Sequence, residues 1–428
     1  MKKIKIAVVG FGDRSECYTK YVRSHPEEAE VVAVVDPNPV RLSYAQNMFG
    51  LKDEVCFSDF DEFVKQGKIA DCVINGTMDN LHIKTSLPLL RLGYDMLLEK
   101  PITSDKAELL LLEKTAKENN CKVIICHVLR YTPYYKRIKE ILLSGEIGEI
   151  RHIETAENVG VAHASVAYIR GKWNNSKKCG SSYLLAKCCH DFDLLVWLND
   201  KTTPEKIASF GDRNYFIEKN APEGSGTRCL TDCKIEKECP YSARKIHLEN
   251  DPLPLIVWAG IPKMPEDVTM EEKEKSLKTD NPHGRCIFRT DADLIDEQMT
   301  MVMFKNGSTA YHNLFSGTAR AGRRIKIYGT KGEIEGFTED SSFYVRLYNP
   351  DNILFTERKE DVTNEIINDN HYGGDFGIMQ DFLRVERGEK PSFSTSSLED
   401  SVMSHLCVYA ADEAMEKDKI VYLDKNNN

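Results

Sequence analysis

The stretch Lys3–Ser15, KIKIAVVGFGDRS, places a short apolar run directly before a glycine-rich turn. The run from Ile4 to Val9 is rich in β-branched residues, which is typical of a strand buried on both faces. A helical pattern follows the turn from about Glu16. Strand, glycine turn and helix together indicate dinucleotide binding, because the helix N-terminus offers free N–H groups to a pyrophosphate.

The turn itself supplies the residues that we expect around the pyrophosphate. Gly10 permits a tight turn, and Gly12 lets the backbone approach the phosphates. Ser15 stands where a third glycine is usual, and its small side chain still allows the helix to pack closely on the strand. The residues assigned to the cofactor site are Gly10, Phe11, Gly12, Asp13, Arg14 and Ser15.

A second apolar run, residues 30–35, ends at Asp36, about 20 residues after the glycine motif. An acidic residue at the tip of the second strand hydrogen-bonds the ribose 2′-OH, and its charge repels a 2′-phosphate. The pattern therefore predicts NAD rather than NADP. The alternative interpretation is a helix-capping aspartate in an α/β protein that binds no nucleotide.

The chain divides into two parts by pattern. Residues 1–126 alternate strands with helices, which predicts an α/β unit with a doubly wound parallel sheet, a Rossmann domain. Residues 127–428 carry short strands joined by turns such as Asn306-Gly307, typical of an α+β domain with a mostly antiparallel open sheet. Residues 218–282, polar and rich in Cys and Pro, are predicted to be an insertion in this second domain.

Composition narrows the class of protein and its partners. The net charge of −10 argues against nucleic acid and anionic membrane surfaces as partners. No apolar run reaches the roughly 18 residues of a transmembrane helix, and the first apolar run is predicted to be a strand, so we expect no signal peptide. Thirteen cysteines, many of them in apolar runs, indicate reduced thiols, so we expect a cytoplasmic protein.

Glu99-Lys100-Pro101 follows a predicted parallel strand. Ligands of such sheets bind outside the carboxyl ends of the strands, so Lys100 is expected beside the nicotinamide end of the cofactor. Its ammonium could stabilise a developing alkoxide on the substrate. On spacing alone, a surface lysine ahead of a proline turn is the simpler interpretation.

The segment from Tyr183 to Leu195 is predicted to be an amphipathic helix. Lys187, His190 and Asp191 have the spacing i, i+3, i+4 and share one face. An imidazole titrates near neutral pH and suits proton removal from a hydroxyl. Burying three polar side chains without purpose is costly, so we expect them to line a cleft. The alternative is a solvated stripe on an ordinary amphipathic helix.

Cys229, Cys233 and Cys239 lie close together in the insertion. Three thiolates with one further ligand could hold a structural zinc ion, although the spacing is not that of a zinc finger. The candidates for the fourth ligand are Cys179, His283 and Cys286. The alternative is a set of free thiols packed into the insertion.

Together these motifs resemble the Gfo/Idh/MocA family, which is named for glucose–fructose oxidoreductase, inositol dehydrogenase and a rhizopine catabolism protein. The resemblance covers nearly the whole chain. It rests on the glycine turn, the acid after the second strand, Thr77 with Asn80-Leu81-His82, and Glu99-Lys100-Pro101. The later landmarks are His127–Tyr131, Gly180–Leu198, Gly329–Gly332 and His371–Asp375.

The resemblance implies oxidation of a sugar or polyol hydroxyl with a nicotinamide cofactor, in a homo-oligomer such as a dimer or tetramer. It implies that Lys100 is catalytic or substrate-binding and that His190 is the acid/base. It also implies that Thr77, Asn80, His82 and Glu99 belong to the cofactor site. Many members carry an aspartate four residues before the histidine. This chain has Ala186 there, and we expect Lys187 beside it to take over substrate positioning.

Other side chains are candidates for substrate binding: His127, Arg130, Trp173, Asp191 and His371. His127 and Arg130 follow the end of a parallel strand, and Trp173 could stack on a sugar face. His371 precedes two glycines, where a backbone close to a ligand would need them. A structural ion pair is the alternative for Arg130, and a core or interface position is the alternative for Trp173.

Two other functions remain open from the sequence. Some members of the family use NAD catalytically to cleave glycosidic bonds by transient oxidation, elimination, hydration and return of the hydride. His190 or Lys187 would then be the additional catalytic base. A non-catalytic nucleotide-sensing protein on the same scaffold is the third hypothesis.

Overall fold

The computed structural model describes residues 2–351, 354–367 and 371–423. The first part of the chain forms a six-stranded sheet. Its strands are β1 (Ile4–Val9), β2 (Ala29–Val35), β3 (Cys56–Phe57), β4 (Cys72–Asn75), β5 (Asp95–Leu98) and β6 (Val123–Ile125). Their spatial order is β3-β2-β1-β4-β5-β6, and every pair is parallel. The predicted doubly wound sheet is confirmed.

Helices connect these strands and cover the sheet. They are α1 (Asp13–Ser24), α2 (Pro39–Phe49), α3 (Phe60–Lys65), α4 (His82–Arg91) and α5 (Lys106–Glu118). The first helix begins at Asp13, earlier than the predicted Glu16, because Gly12 has an extended backbone and ends the turn. The sheet core between these helices is apolar, as the unbroken burial of β4 illustrates.

A helix, α6 (Pro133–Ser144), leads into a second sheet. Its strands are β7 (Ile150–Gly160), β8 (Pro204–Asp212), β9 (Glu297–Phe304), β10 (Thr309–Thr318), β11 (Gly322–Gly329), β12 (Gly332–Phe337), β13 (Ser342–Tyr348), β14 (Phe355–Asp361) and β15 (Val421–Tyr422). Their order is β14-β13-β12-β11-β7-β10-β9-β8-β15, and only the β7–β10 pair is parallel. The mostly antiparallel sheet predicted for the second part is confirmed.

The remaining helices lie around the two sheets, and the helix that begins at Gly374 packs on the core of the first sheet. They are α7 (Val161–His163), α8 (Ser176–Cys179), α9 (Tyr183–Leu198), α10 (Pro254–Val257), α11 (Met270–Lys278), α12 (Gly374–Glu386) and α13 (Leu398–Lys417). A π-helical segment, Ala164–Ile169, continues from α7. Helices α9 and α13 share one core with the second sheet, in which Leu184 and Val408 pack with Ile153 and Leu314. The other face of the sheet is open and exposes apolar side chains such as Met299 and Phe315.

Residues 213–296 connect the neighbouring strands β8 and β9 and contain the Cys-rich segment. The connection is longer than the insertion predicted at 218–282. Its helix α11 begins with a capping box between Thr269 and Glu272. Within the described residues, no helix has both the length and the apolar character needed to cross a bilayer.

Candidate active site

The candidate site lies where the carboxyl ends of the first sheet meet α9 and α12. Two contacts define this junction. Lys100, just after β5, donates from Nζ to the Ala186 carbonyl on α9 at 3.1 Å. Arg14, in the first turn of α1, pairs with Asp375 in the first turn of α12. Ligands of parallel sheets bind at this edge, so the cleft has the place expected for a cofactor and its substrate.

The glycine turn after β1 fits a dinucleotide pyrophosphate. Gly10 has a φ of +81°, and a Cβ there would lie 2.8 Å from the Gly76 carbonyl oxygen, so only glycine is accommodated. A Cβ added to Gly12 would meet nothing within 4 Å, which leaves open space above the turn. Ser15 locks the turn by donating to the Gly10 carbonyl at 2.6 Å. In the described part of the chain no side chain caps α1, so its N-terminus is available to phosphates.

Asp36 is held rigidly at the end of β2. It is buried, and its two carboxylate oxygens accept from the backbone N–H groups of Phe11 and Asn38, each at 2.8 Å. The bond to Phe11 ties the acid to the glycine turn. The carboxylate therefore stands beside the space where the adenosine ribose of a cofactor bound on that turn would lie.

The turn after β4 holds the loop that carries Lys100. The His82 ring contacts the Pro101 carbonyl at 2.7 Å through Nδ1 and the Thr77 carbonyl at 3.0 Å through Nε2. The Thr77 hydroxyl donates to Asn75 at 2.9 Å, while Asn80 is exposed next to Gly180. Both ring nitrogens of His82 are used to join these two loops. The assignment of His82 to the cofactor site therefore rests only on its place beside the loop that carries Lys100.

The Arg14 side chain is engaged in ion pairs and hydrogen bonds at the junction with α12. It donates to Glu99 at 3.1 Å and to the Tyr18 hydroxyl at 2.8 Å, besides its pair with Asp375. Burial alone would raise the pKa of Glu99 and of Asp375. The Arg14 charge, together with other nearby charges and hydrogen bonds, outweighs burial, so the pKa of both carboxyls is lowered. The ionised Glu99 also accepts from the Lys100 backbone N–H at 2.9 Å, which orients the lysine.

His190 lies on α9 one helical turn after Ala186, the residue that receives the Lys100 ammonium. Its ring is 6% exposed, and among the described residues Nδ1 has no hydrogen-bond partner. Burial lowers the pKa of His190 well below its usual value, and the Lys100 charge lowers it further. The imidazole is therefore neutral at physiological pH and can accept a proton.

His127 stands behind His190, with ring centroids 5.8 Å apart. It is fully buried, and its Nε2 lies 3.6 Å from Asp193. Burial lowers the pKa of His127 as well, and the Arg130 charge adds to that effect. This position suits support of the His190 ring and leaves no surface of His127 for a substrate.

A row of alternating charges runs along the second-domain side of the cleft. Lys187 pairs with Glu157 at 3.2 Å, and Glu157 pairs with Arg323 at 2.8 Å. Arg323 continues to Asp191 at 2.9 Å. The Asp191 carboxylate is thus engaged with Arg323. The sequence analysis missed Glu157 and Arg323, because both lie on strands whose pairing with α9 has no local signal.

His163 is a further cleft residue that the sequence analysis missed. Burial lowers the pKa of His163 to about 3, and the nearby charges of Lys187 and Lys100 lower it while Glu157 acts in the opposite direction. The side chain lies at the end of α7, before the π-helical segment. It is a second neutral imidazole at the same cleft, and no motif pointed to it.

We expect the Arg323→Met variant to lose about 3–5 kcal/mol of unfolding free energy, because the buried Asp191 carboxylate is left without its partner. The neighbouring Arg324 is exposed, so Arg324→Met should change that free energy by no more than about 0.5 kcal/mol. Urea denaturation measures both. The Arg323 charge also helps to lower the pKa of Glu157 to about 2. The stabilisation from the Arg323–Glu157 pair is therefore present above about pH 4.5 and is lost as Glu157 becomes protonated at lower pH. Equal midpoints for the two variants would contradict the expectation.

The other sequence candidates occupy structural positions around the cleft. Arg130 is buried and forms a two-point ion pair with Asp193 at 2.6 and 2.7 Å. Trp173 is half-buried and donates its indole N–H to Asp79 at 3.0 Å. His371 contacts Asp375 and Arg14 at the junction. The ion pair considered as the alternative for Arg130 is present, whereas Trp173 retains surface for a ligand.

Comparison with known proteins agrees with this architecture. Residues 4–127 match the Gfo/Idh/MocA model described as an oxidoreductase family with an NAD-binding Rossmann fold. Residues 139–423 match that family's C-terminal alpha/beta domain. YteT of Bacillus subtilis (strain 168) is 27% identical over 317 residues, which cover 72% of this chain and 70% of YteT.

More distant relatives have named substrates. An inositol 2-dehydrogenase of Corynebacterium glutamicum (strain R) is 22% identical over 202 residues, covering 46% of this chain and 54% of that enzyme. The solved structure of levoglucosan dehydrogenase in complex with NADH and levoglucosan superposes with a TM-score of 0.70 at 15% identity, covering 99% of this chain and all of the other. Both family models match, and together they span nearly the whole chain, so this protein is a member of the Gfo/Idh/MocA family of oxidoreductases and carries its NAD-binding Rossmann domain.

Proposed function

We propose that the protein is an NAD-dependent dehydrogenase that oxidises a hydroxyl carbon of a sugar, a sugar derivative or a polyol. The observation that carries the proposal is the placement of His190. Its imidazole is buried and neutral, and it lies one helical turn from the contact of Lys100. A base and a cation therefore lie side by side at the edge of the sheet where the nicotinamide is expected.

The two side chains have complementary roles in this proposal. His190 accepts the proton of the substrate hydroxyl, and its lowered pKa keeps it in the accepting form. Lys100 uses one of its three N–H donors on the Ala186 carbonyl, so the others remain for the oxygen that becomes a carbonyl. The bound cofactor supplies the hydride acceptor. The charges of Lys187 and Lys100 both act on His163, and we expect Lys187 and His163 to contact the other hydroxyls of the substrate.

The substrate class is supported by residue chemistry and by the named relatives. Lys187, His163 and Trp173 offer a cation, an imidazole and an aromatic face, which suit a polyhydroxylated molecule. Inositol and levoglucosan, the molecules in the names of two relatives, are of this kind. Many family members have an aspartate at the position of Ala186. Because this chain has alanine there, Lys187 is the charged group of this helical turn.

The first experiment incubates the purified protein and NAD with free sugars, polyols and aryl glycosides, and follows reduced nicotinamide and released aglycone in the same wells. Net NADH on a sugar or polyol is the expected result. NAD-dependent release of aglycone without net NADH would replace the proposal with a redox-assisted glycosidase. Nucleotide binding without turnover on any compound would favour a nucleotide sensor.

Cofactor choice is a separate prediction. We expect NADH to bind at least roughly tenfold more tightly than NADPH, because the Asp36 carboxylate repels a 2′-phosphate. Calorimetric titration measures both affinities without a substrate. The Asp36→Asn variant keeps an oxygen acceptor for the Phe11 N–H and removes the charge, so it should narrow the ratio. A wild-type protein that binds both cofactors equally would contradict this role of Asp36.

We also propose that the protein associates with itself through the open face of the second sheet. Exposed apolar side chains on neighbouring strands form this face, including Phe210, Met299, Met301 and Phe315, which are each 46–59% exposed. Apolar surface of this kind is typical of an interface between subunits. A small-molecule substrate and a cytoplasmic location remain predictions of the sequence.

A further inference from the structure

The long connection between β8 and β9 contains a small cavity lined by four thiols. Three belong to the cluster recognised in the sequence, Cys229, Cys233 and Cys239, and the fourth is Cys286. All four are free thiols in the structure. We propose that these four cysteines hold a thiolate-bound metal centre, either a zinc ion or an iron–sulfur cluster. This site is separate from the catalytic cleft and does not depend on the proposed reaction.

Main-chain pairing brings the separated parts of this site together. Cys229 donates its backbone N–H to Gly284 at 2.9 Å, and Cys286 donates to Thr227 at 2.8 Å. This two-way pairing forms a bridge between Arg228 and Arg285 and sets Cys229 beside Cys286. The segment is therefore built to bring distant cysteines to one point, which a loop that merely contains thiols does not require.

The structure also selects among the candidates for the fourth ligand. Both ring nitrogens of His283 are engaged, with Asn281 at 3.0 Å and with the Val166 carbonyl at 3.1 Å. The Cys179 thiol contacts the carbonyls of Ser176 and Ser181 and does not line the cavity. Cys286 does line it, so the ligand set consists of four sulfurs.

Arg170 provides the second, independent observation. It is 1% exposed and donates to the Tyr241 carbonyl at 2.8 Å, to the Arg285 carbonyl at 2.7 Å and to the Cys229 sulfur at 3.6 Å. No carboxylate of the described residues forms an ion pair with it, although a buried guanidinium remains charged and needs a counter-charge. The acid that lines the cavity, Glu236, accepts from Ser242. Four metal-bound thiolates carry more negative charge than one divalent ion neutralises, so the centre would supply the missing anion.

The spacing of the sulfurs bears on the identity of the metal. Tetrahedral zinc with Zn–S bonds of about 2.3 Å sets ligand sulfurs about 3.8 Å apart. Among the described residues, no three of these four sulfurs lie within 4.8 Å of one another. The sulfurs would therefore have to move closer together to bind a zinc ion, and metal analysis of the protein distinguishes the two kinds of centre.

The position of the centre indicates a structural role. Arg170 directly follows the π-helical segment Ala164–Ile169, which in turn follows His163 of the catalytic cleft. The His283 ring, anchored on Asn281, also contacts this segment at Val166. A metal centre at the four cysteines would brace the wall of the cleft that carries His163.

The test measures zinc, iron and acid-labile sulfide in the full-length protein purified without oxygen. The expected result is iron with an equal amount of sulfide and a visible absorption band, or about one zinc ion per chain. Cys239→Ser and Cys286→Ser should each lower the metal content at least roughly tenfold. The matched control is Cys56→Ser, a half-buried cysteine of β3, which should keep the wild-type content.

The metal analysis can be interpreted even if a variant misfolds. NADH binding by each variant reports whether the Rossmann domain is intact, and the wild-type metal content stands without any variant. A wild-type protein without stoichiometric zinc or iron would overturn the proposal. Full metal content in both Cys239→Ser and Cys286→Ser would overturn it as well, because the metal would then lie elsewhere.

Discussion

Replacing His190 with alanine is expected to lower turnover by roughly 10²–10⁴-fold while NADH binding stays unchanged. In the proposed reaction the His190 imidazole accepts the hydroxyl proton, and alanine cannot do so. The measurement is kcat with the best substrate of the panel, together with a titration of NADH. Because the side chain acts in the chemical step, the loss should fall on kcat more than on KM.

The matched control for this variant is His152→Ala. His152 is a half-buried histidine of β7 that hydrogen-bonds Thr309 on the sheet surface. We expect it to retain wild-type turnover. If His190→Ala retained wild-type turnover too, His190 would not be the base, and His163 would become the next imidazole to test.

The Lys100→Met variant has the second largest expected effect, a loss of roughly 10²–10³-fold in kcat. Methionine keeps the length of the side chain and removes the donors to the substrate oxygen. Lys84→Met is the control, because Lys84 is exposed on α4. Equal rates for the two variants would show that Lys100 does not act on the substrate.

The same variant has a second readout in its pH profile. After burial, the Lys100 charge is the next largest cause that lowers the pKa of His190. The pKa that governs the loss of wild-type activity on the acid side should therefore lie below the usual histidine pKa of about 6.5. In Lys100→Met the pKa of His190 should rise, so activity should be lost at a higher pH than in the wild type. An acid-side pKa that does not move would indicate that the two groups do not interact.

Local sequence patterns were sufficient for the first sheet and for the glycine turn. The strand before Gly10 and the acid Asp36 are separated by less than 30 residues. Both belong to one strand–helix–strand unit, so local patterns predict them together. Helical periodicity likewise places His190 and Asp191 on one side of α9. The helix is not amphipathic as predicted, because nearly all of its side chains are buried.

Other features of the site were decided only by the tertiary structure. Arg14 was expected at the phosphates, but its guanidinium reaches Asp375, 361 residues away along the chain. Arg323 engages Asp191 across 132 residues, so the carboxylate assigned to substrate binding is already paired. Such contacts leave no trace in local periodicity, because any arginine in a strand shows the same pattern whether or not an acid faces it.

By itself, therefore, the sequence determined the fold class, the nucleotide-binding turn and the family. The tertiary structure decided which ionisable groups are neutralised and which remain available. It placed Cys286 in one cavity with Cys229, Cys233 and Cys239 and left Arg170 without a carboxylate among the described residues. The physical reason is that burial and charge pairing depend on surroundings assembled from distant segments, whereas strands, helices and turns depend mainly on neighbours in the chain.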